Sequence, residues 1–144
     1  MSVILRRVDD YRAFRISPGD TNYMICIADP VADGGAGIGF TAIVEVFRRG
    51  GKTPPNTHAV AHEMFYVLAG SGIAYCDGKA APLGPGDSMV ILPGAEHVIE
   101  NTGPGKLYTL TVMVPNEDFA ELIHNGTPVP LDDEDRAVLR RLGG

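Results

Sequence analysis

Two short stretches hold the residues of this chain whose types and spacing best suit metal chemistry. Residues 50–70 carry Asn56, His58, His62 and Glu63 and then run into an apolar segment. Residues 86–101 deliver His97 after a second apolar segment, so three of the four histidines lie in these two stretches. Imidazole nitrogen and carboxylate oxygen suit divalent first-row metals when they converge on one point. A β-strand supplies such groups from alternate residues, because i and i+2 share a face. Asn56 and His58 therefore point the same way in an extended segment, and Glu63 shares a face with Phe65 and Val67. His62 falls on the opposite face, unless the turn ends between 62 and 63, in which case it replaces Glu63. An inward carboxylate without a partner is costly, which favours a ligand role for Glu63. His58, Glu63 and His97 then form a two-histidine, one-carboxylate set with positions left for water or substrate. Asn56 adds a weak oxygen donor, directly or through water.

Such residues need a β-scaffold, and the pattern supplies one. The 18 Gly and 11 Pro are scattered between short apolar runs, the mark of many short strands closed by turns, as in a sandwich or barrel. Strands are expected over residues 13–16, 24–27, 41–47, 63–69, 72–76, 88–92, 97–100 and 108–114. Asp77-Gly78 marks a tight hairpin. Residues 117–124 and 132–142 change to helical spacing, with Asn116 and Asp132 or Asp133 as caps. Phe119, Leu122 and Ile123, and then Val138, Leu139 and Leu142, are expected to face the body. The chain reads as a single domain over 1–144, with a barrel core of about 13–115 and a helical tail of about 116–142. Phe65, Val67, Val90, Leu92 and Tyr108 are expected to line the interior. Met64, Tyr66 and Leu68 share the other face, where an apolar surface needs cover.

These residues carry a resemblance to the cupin superfamily, in the form of a small single-domain cupin of the cupin 2 type. The first motif of that family is G-x5-H-x-H-x3-4-E-x6-G, and Gly50, Asn56, His58, Glu63 and Gly70 keep its spacing. The second is G-x5-P-x-G-x2-H-x3-N, matched in spacing by Gly86, Leu92, Gly94, His97 and Asn101. The spacing to Gly70 favours Glu63 over His62. Asn56 stands where the family usually has its first histidine ligand, and Leu92 stands for a proline that follows at once as Pro93. The resemblance implies an all-β, double-stranded β-helix or jelly-roll barrel with a short C-terminal helical segment. It also implies one divalent transition metal in the barrel mouth, Fe(II) in preference to Mn, Ni or Zn. Small cupins commonly pair, so a homodimer is expected.

Bulk properties narrow the partners. A net charge of −6 and the absence of any basic run disfavour nucleic acid and anionic membrane surfaces. No apolar run approaches the roughly 20 residues that span a bilayer. Nor do the first residues show a signal-peptide core. Two cysteines, Cys26 and Cys76, are too few for a disulfide framework and read as small hydrophobes in a reducing, cytoplasmic setting. His124 reads as a surface residue near a helix C-terminus. The leading functional expectation is a metal-dependent enzyme on a small organic molecule, of Fe(II) dioxygenase type. Isomerase, lyase or decarboxylase chemistry with Mn or Zn, and non-catalytic binding of a small molecule, are the alternatives.

Overall fold

The computed structural model describes residues 2–54 and 56–141. Its strands are β1 (Arg12–Arg15), β2 (Asn22–Ala28), β3 (Thr41–Phe47), β4 (His62–Ala69), β5 (Gly72–Cys76), β6 (Lys79–Leu83), β7 (Ser88–Ile91), β8 (His97–Asn101), β9 (Leu107–Val114) and β10 (Thr127–Val129). Helix α1 (Phe119–His124) precedes β10, and α2 (Asp133–Arg140) follows it. All pairings are antiparallel. One sheet runs β10-β1-β2-β3-β9-β4-β7 and the other β6-β5-β8. Bridges Lys52↔Glu100 and Asn56↔His97 lay Lys52 and Asn56 against the free edge of β8. The result is the double-stranded β-helix expected from the sequence.

Alternation sorts the side chains into two layers. Phe47, Phe65, Val67, Ile99 and Leu107 meet between the two sheets. On the outer face of the large sheet, Tyr23, Ile25, Val44, Val46 and Tyr108 form a second core, with Val138 and Leu139 of α2 packed against it. Tyr108 thus faces α2 rather than the barrel interior. Val90 and Leu92 are also displaced from their expected place: each is 61% exposed, whereas Ile91 is buried. The cause is register. Phe65 pairs with Met89 and Glu63 with Ile91, so the odd-numbered residues of β7 point inward.

Asp77 and Gly78 close the β5–β6 hairpin, both at positive φ (52° and 75°), as a two-residue turn of this hand requires. Two strands escape the sequence pattern, β6 and β10, and each contains a proline (Pro82 and Pro128). Both are edge strands, where the lost N–H costs no ladder bond. The C-terminal region is therefore not wholly helical: β10 returns to pair with β1 between the two helices.

Helix α1 starts at Phe119 rather than at 117, because Glu117 and Asp118 adopt left-handed conformations (φ 50° and 65°). Asn116 still serves its start, accepting the Ala120 N–H at 2.8 Å. Ile123 is buried, but Leu122 is 52% exposed and does not pack inward. Asp132 caps α2 by accepting the Asp135 N–H at 2.8 Å. Leu142, expected to face the body, lies outside the described residues.

Candidate metal centre

Glu63 is the second residue of β4, held between β7 and β9 with its side chain on the closed inner face, 3% exposed. His97 opens β8 and is 2% exposed. Its backbone exchanges hydrogen bonds with Asn56, His97 N–H to Asn56 O at 2.9 Å and Asn56 N–H to His97 O at 3.3 Å. His58 sits on the loop between residues 56 and 62, its carbonyl accepting the Gly94 N–H at 2.8 Å. These attachments bring His97 Nε2 to 2.9 Å and His58 Nε2 to 3.0 Å from the same oxygen, Glu63 Oε1. The three donor atoms all lie within 4.8 Å of one another. The Asn56 amide lies 3.5 Å from His58 Nε2. His62 is exposed at the start of β4 and does not join them.

The surroundings fix how the donors are presented. His97 Nδ1 lies 3.3 Å from the Ala95 carbonyl; an N–H there turns the Nε2 lone pair inward. Burial opposes a charge on His97, but the hydrogen bond to Glu63, the Ala95 carbonyl and the Glu63 charge together raise its pKa. Among the described residues no Lys or Arg pairs with Glu63. Two nitrogens and one carboxylate oxygen that converge, one imidazole oriented from behind, and a carboxylate lacking a cationic side chain make a set that fits a divalent transition metal.

The centre opens into a cavity of about 540 Å³ whose lining includes Asn22, Met24, Glu45, Phe65, Met113 and Phe119 as well as the donors. Two features here carry no motif. Glu117 reaches across to the loop of His58 and accepts the N–H groups of Ala59, Val60 and Ala61 at 3.2, 2.6 and 3.1 Å. Those bonds, the one from Val60 foremost, hold its carboxyl below the usual range.

The second is Glu45, on the inner face of β3 and 3% exposed. Asn22 donates to its Oε2 at 3.1 Å. Burial, reinforced by the Glu63 charge and only partly offset by the Asn22 amide, pushes its carboxyl up to about 8. A clue was present in the sequence: Glu45 is the lone charge in the apolar run Thr-Ala-Ile-Val-Glu-Val-Phe of β3. Gly51 borders the same corner. A Cβ at this position would lie 2.7 Å from both Asn22 Oδ1 and Thr21 Oγ1.

A second convergent group, Cys26, Asp29 and His124, lies near α1. His124 is not a free surface residue: its Nε2 is 3.0 Å from Asp29 Oδ2, and its ring packs 4.9 Å from that of Phe14. Burial pushes the Cys26 thiol up to about 12, so it stays a neutral thiol. Cys76 is half-buried, and both cysteines are free.

The family described as Cupin domain matches residues 43–113, the span from β3 through β9 that holds every donor. The chain carries a cupin domain. This cupin is 35% identical over 69 residues to a curated protein of Thermotoga maritima named oxalate-binding protein, an alignment covering 44% of this chain and 57% of that one. It is also 35% identical over 74 residues to an uncharacterized protein of Methanocaldococcus jannaschii, covering 51% and 57% of the two. The chain thus spans 57% of the length of each curated relative. Among solved structures, a predicted oxalate decarboxylase of Thermotoga maritima superposes with a TM-score of 0.67 at 24% identity, covering 78% of this chain and 99% of that one. A double-stranded β-helix protein of Klebsiella pneumoniae gives 0.62 at 18% identity, covering 91% and 99%. At these identities the likeness is one of fold. No described helix is long and apolar enough to cross a membrane.

Proposed function

We propose that this cupin is a metal-dependent enzyme acting on a small organic acid. His58, Glu63 and His97 hold one divalent transition metal, and Asn56 completes the set directly or through water. The observation that carries this reading is the approach of both imidazoles to one buried carboxylate oxygen, at 2.9 and 3.0 Å, on the wall of an open cavity. When bound, such a metal supplies Lewis-acid or redox chemistry to a coordinated oxygen. The protein's own share is to fix the donors, through Ala95 behind His97 and Glu117 behind the His58 loop, and to surround the ligand with Phe65, Met113 and Phe119.

A redox-neutral cleavage, such as decarboxylation with Mn or Zn, is the first reading of the reaction. It is supported by the relative named for oxalate and by the fold neighbour titled as a predicted decarboxylase. Fe(II)-dependent dioxygenation is the second, favoured by the two-histidine, one-carboxylate donor set with open positions. Turnover of small carboxylates by Mn- and Fe-loaded protein, with and without air, separates them. Consumption of one oxygen molecule per turnover removes the first reading, and an undiminished anaerobic rate removes the second. If the ligand binds but is recovered unchanged with either metal, the protein is a binding module.

Elemental analysis of untagged protein tests the centre itself. About one metal per chain is expected in the wild type, and none in His58→Ala or His97→Ala. Stoichiometric metal in the His97 variant would sink the assignment. A cytoplasmic homodimer belongs to the same reading, supported by two free cysteines and by apolar side chains on the outer surface around β4.

A further inference from the structure

We propose that Asn22 and Glu45 form a second anchor in the cavity, which holds the far oxygen of a two-ended organic acid whose near end sits at the metal. This rests on the metal-centre reading given above and adds the class of substrate.

Glu45 sits on the inner face of β3, beside its cross-strand partners Met24 and Thr109, and lines the same cavity as the three donors. One carboxyl oxygen is occupied by the Asn22 amide; the other has no partner among the described residues. Asn22 is itself 6% exposed, and its side-chain oxygen lies 3.4 Å from the Thr21 hydroxyl. The pair is thus braced on one side and open on the other.

Its charge state follows from its company. No described Lys or Arg reaches Glu45, and a buried carboxylate without a cation is driven to the neutral acid. A neutral carboxyl offers an O–H donor, whereas an ionised one only accepts. In a wall shared with Met24, Phe65 and Met113, this donor would remain unpaired in an occupied site unless the ligand brought an acceptor. A ligand with a carboxylate or carbonyl oxygen at its far end satisfies it. The acids nearer solvent do not compete: Glu117 is committed to three backbone N–H groups, and Asp20 accepts the Ser17 N–H at 3.0 Å.

The test uses Mn-loaded protein and pairs of probes that differ only at the far end: 2-oxoglutarate against 2-oxopentanoate, and malate against 2-hydroxybutyrate. Affinities are measured by titration calorimetry, and metal content by elemental analysis. The wild type is expected to favour the diacid of at least one pair by about tenfold or more, the worth of one hydrogen bond to a charged group. Glu45→Gln keeps a donor and keeps the preference. Glu45→Met, similar in length and apolar, loses it, read as the ratio of diacid to monoacid affinity within each pair at full metal content. Equal affinities within both pairs for the wild type, or a preference that survives Glu45→Met at full metal content, overturns the anchor and leaves the metal centre standing. Failure of the wild type to retain metal overturns the metal centre and the anchor with it.

Discussion

Glu45 makes the cost of a buried carboxyl measurable. Its folded-state value of about 8 lies above the ordinary 4.5, so its stabilising contribution is complete below the ordinary value and is lost as pH rises toward the folded one. Chelator-treated wild type should therefore fall in thermal stability, relative to Glu45→Gln, as pH is raised from about 5 to about 9, by several kcal/mol at most. Parallel melting curves for the two proteins across that range would show that Glu45 does not carry the proton. The sequence made the three donors visible because motif spacing is nearly independent of tertiary detail. It left Asn22 and Glu45 obscure for the opposite reason. They are 23 residues apart, and only the pairing of β2 with β3 makes them neighbours. A single charge in an apolar strand says that something must be satisfied, but not by what.

The loop of His58 is held by the Gly94 N–H on one side and by Glu117 on the other. Two successive non-glycine residues, Glu117 and Asp118, sit in the left-handed region, at about 1–2 kcal/mol each. Three charge-assisted hydrogen bonds to Ala59, Val60 and Ala61 offset that cost. Glu117→Ala should weaken metal binding by about 10- to 100-fold in chelator competition while the fold stays intact. An unchanged affinity would reduce the contact to a surface detail. On the other side of the large sheet, α2 is pinned through Asp135, which accepts the Tyr23 and Tyr108 hydroxyls at 2.8 and 2.6 Å. Lys106 adds contacts to Tyr23 and Asp132 at 2.9 and 2.5 Å. Asp135→Ala leaves the buried Tyr108 hydroxyl without a partner and the Tyr23 O–H without its acceptor, and a loss of about 3 kcal/mol is expected in chemical denaturation, with metal content unchanged. Loss of metal instead would tie α2 to the centre. Short apolar runs bounded by turn residues were readable in advance: β3 and β5 match in both bounds, and the Asp77-Gly78 hairpin is where its φ angles demand. β6 and β10 were not, because edge strands tolerate proline and short length. β7 was found, but one residue out of phase in what it buries.

For the molecule as a whole, the sheet that carries Glu63 on its inner side leaves Val60, Val90 and Val114 exposed at 61%, 61% and 51% around the outer side of β4. Met64 and Tyr66 there are half-buried, while Leu68 packs into the outer core with Tyr108. A second copy of the chain is the proposed cover. Sedimentation should give twice the 15.3 kDa chain mass, and Val90→Glu should shift it to the single-chain value with the metal retained. A wild type that sediments as one chain would end the proposal. The barrel fold could be foreseen from short apolar strands and motif spacing; which outer surface meets a partner could not, because half-buried apolar residues look alike in a sequence. Gly51 ties these scales together. It passes for a turn residue, yet the space beside it is filled by Thr21 and Asn22. In evolutionary terms positions 22, 45 and 51 are expected to behave as one unit, because a Cβ at 51 would meet the Asn22 side chain that braces Glu45. A lineage that enlarges residue 51 must first give up the Asn22 amide and the carboxyl it braces, so related chains should change these positions together or not at all.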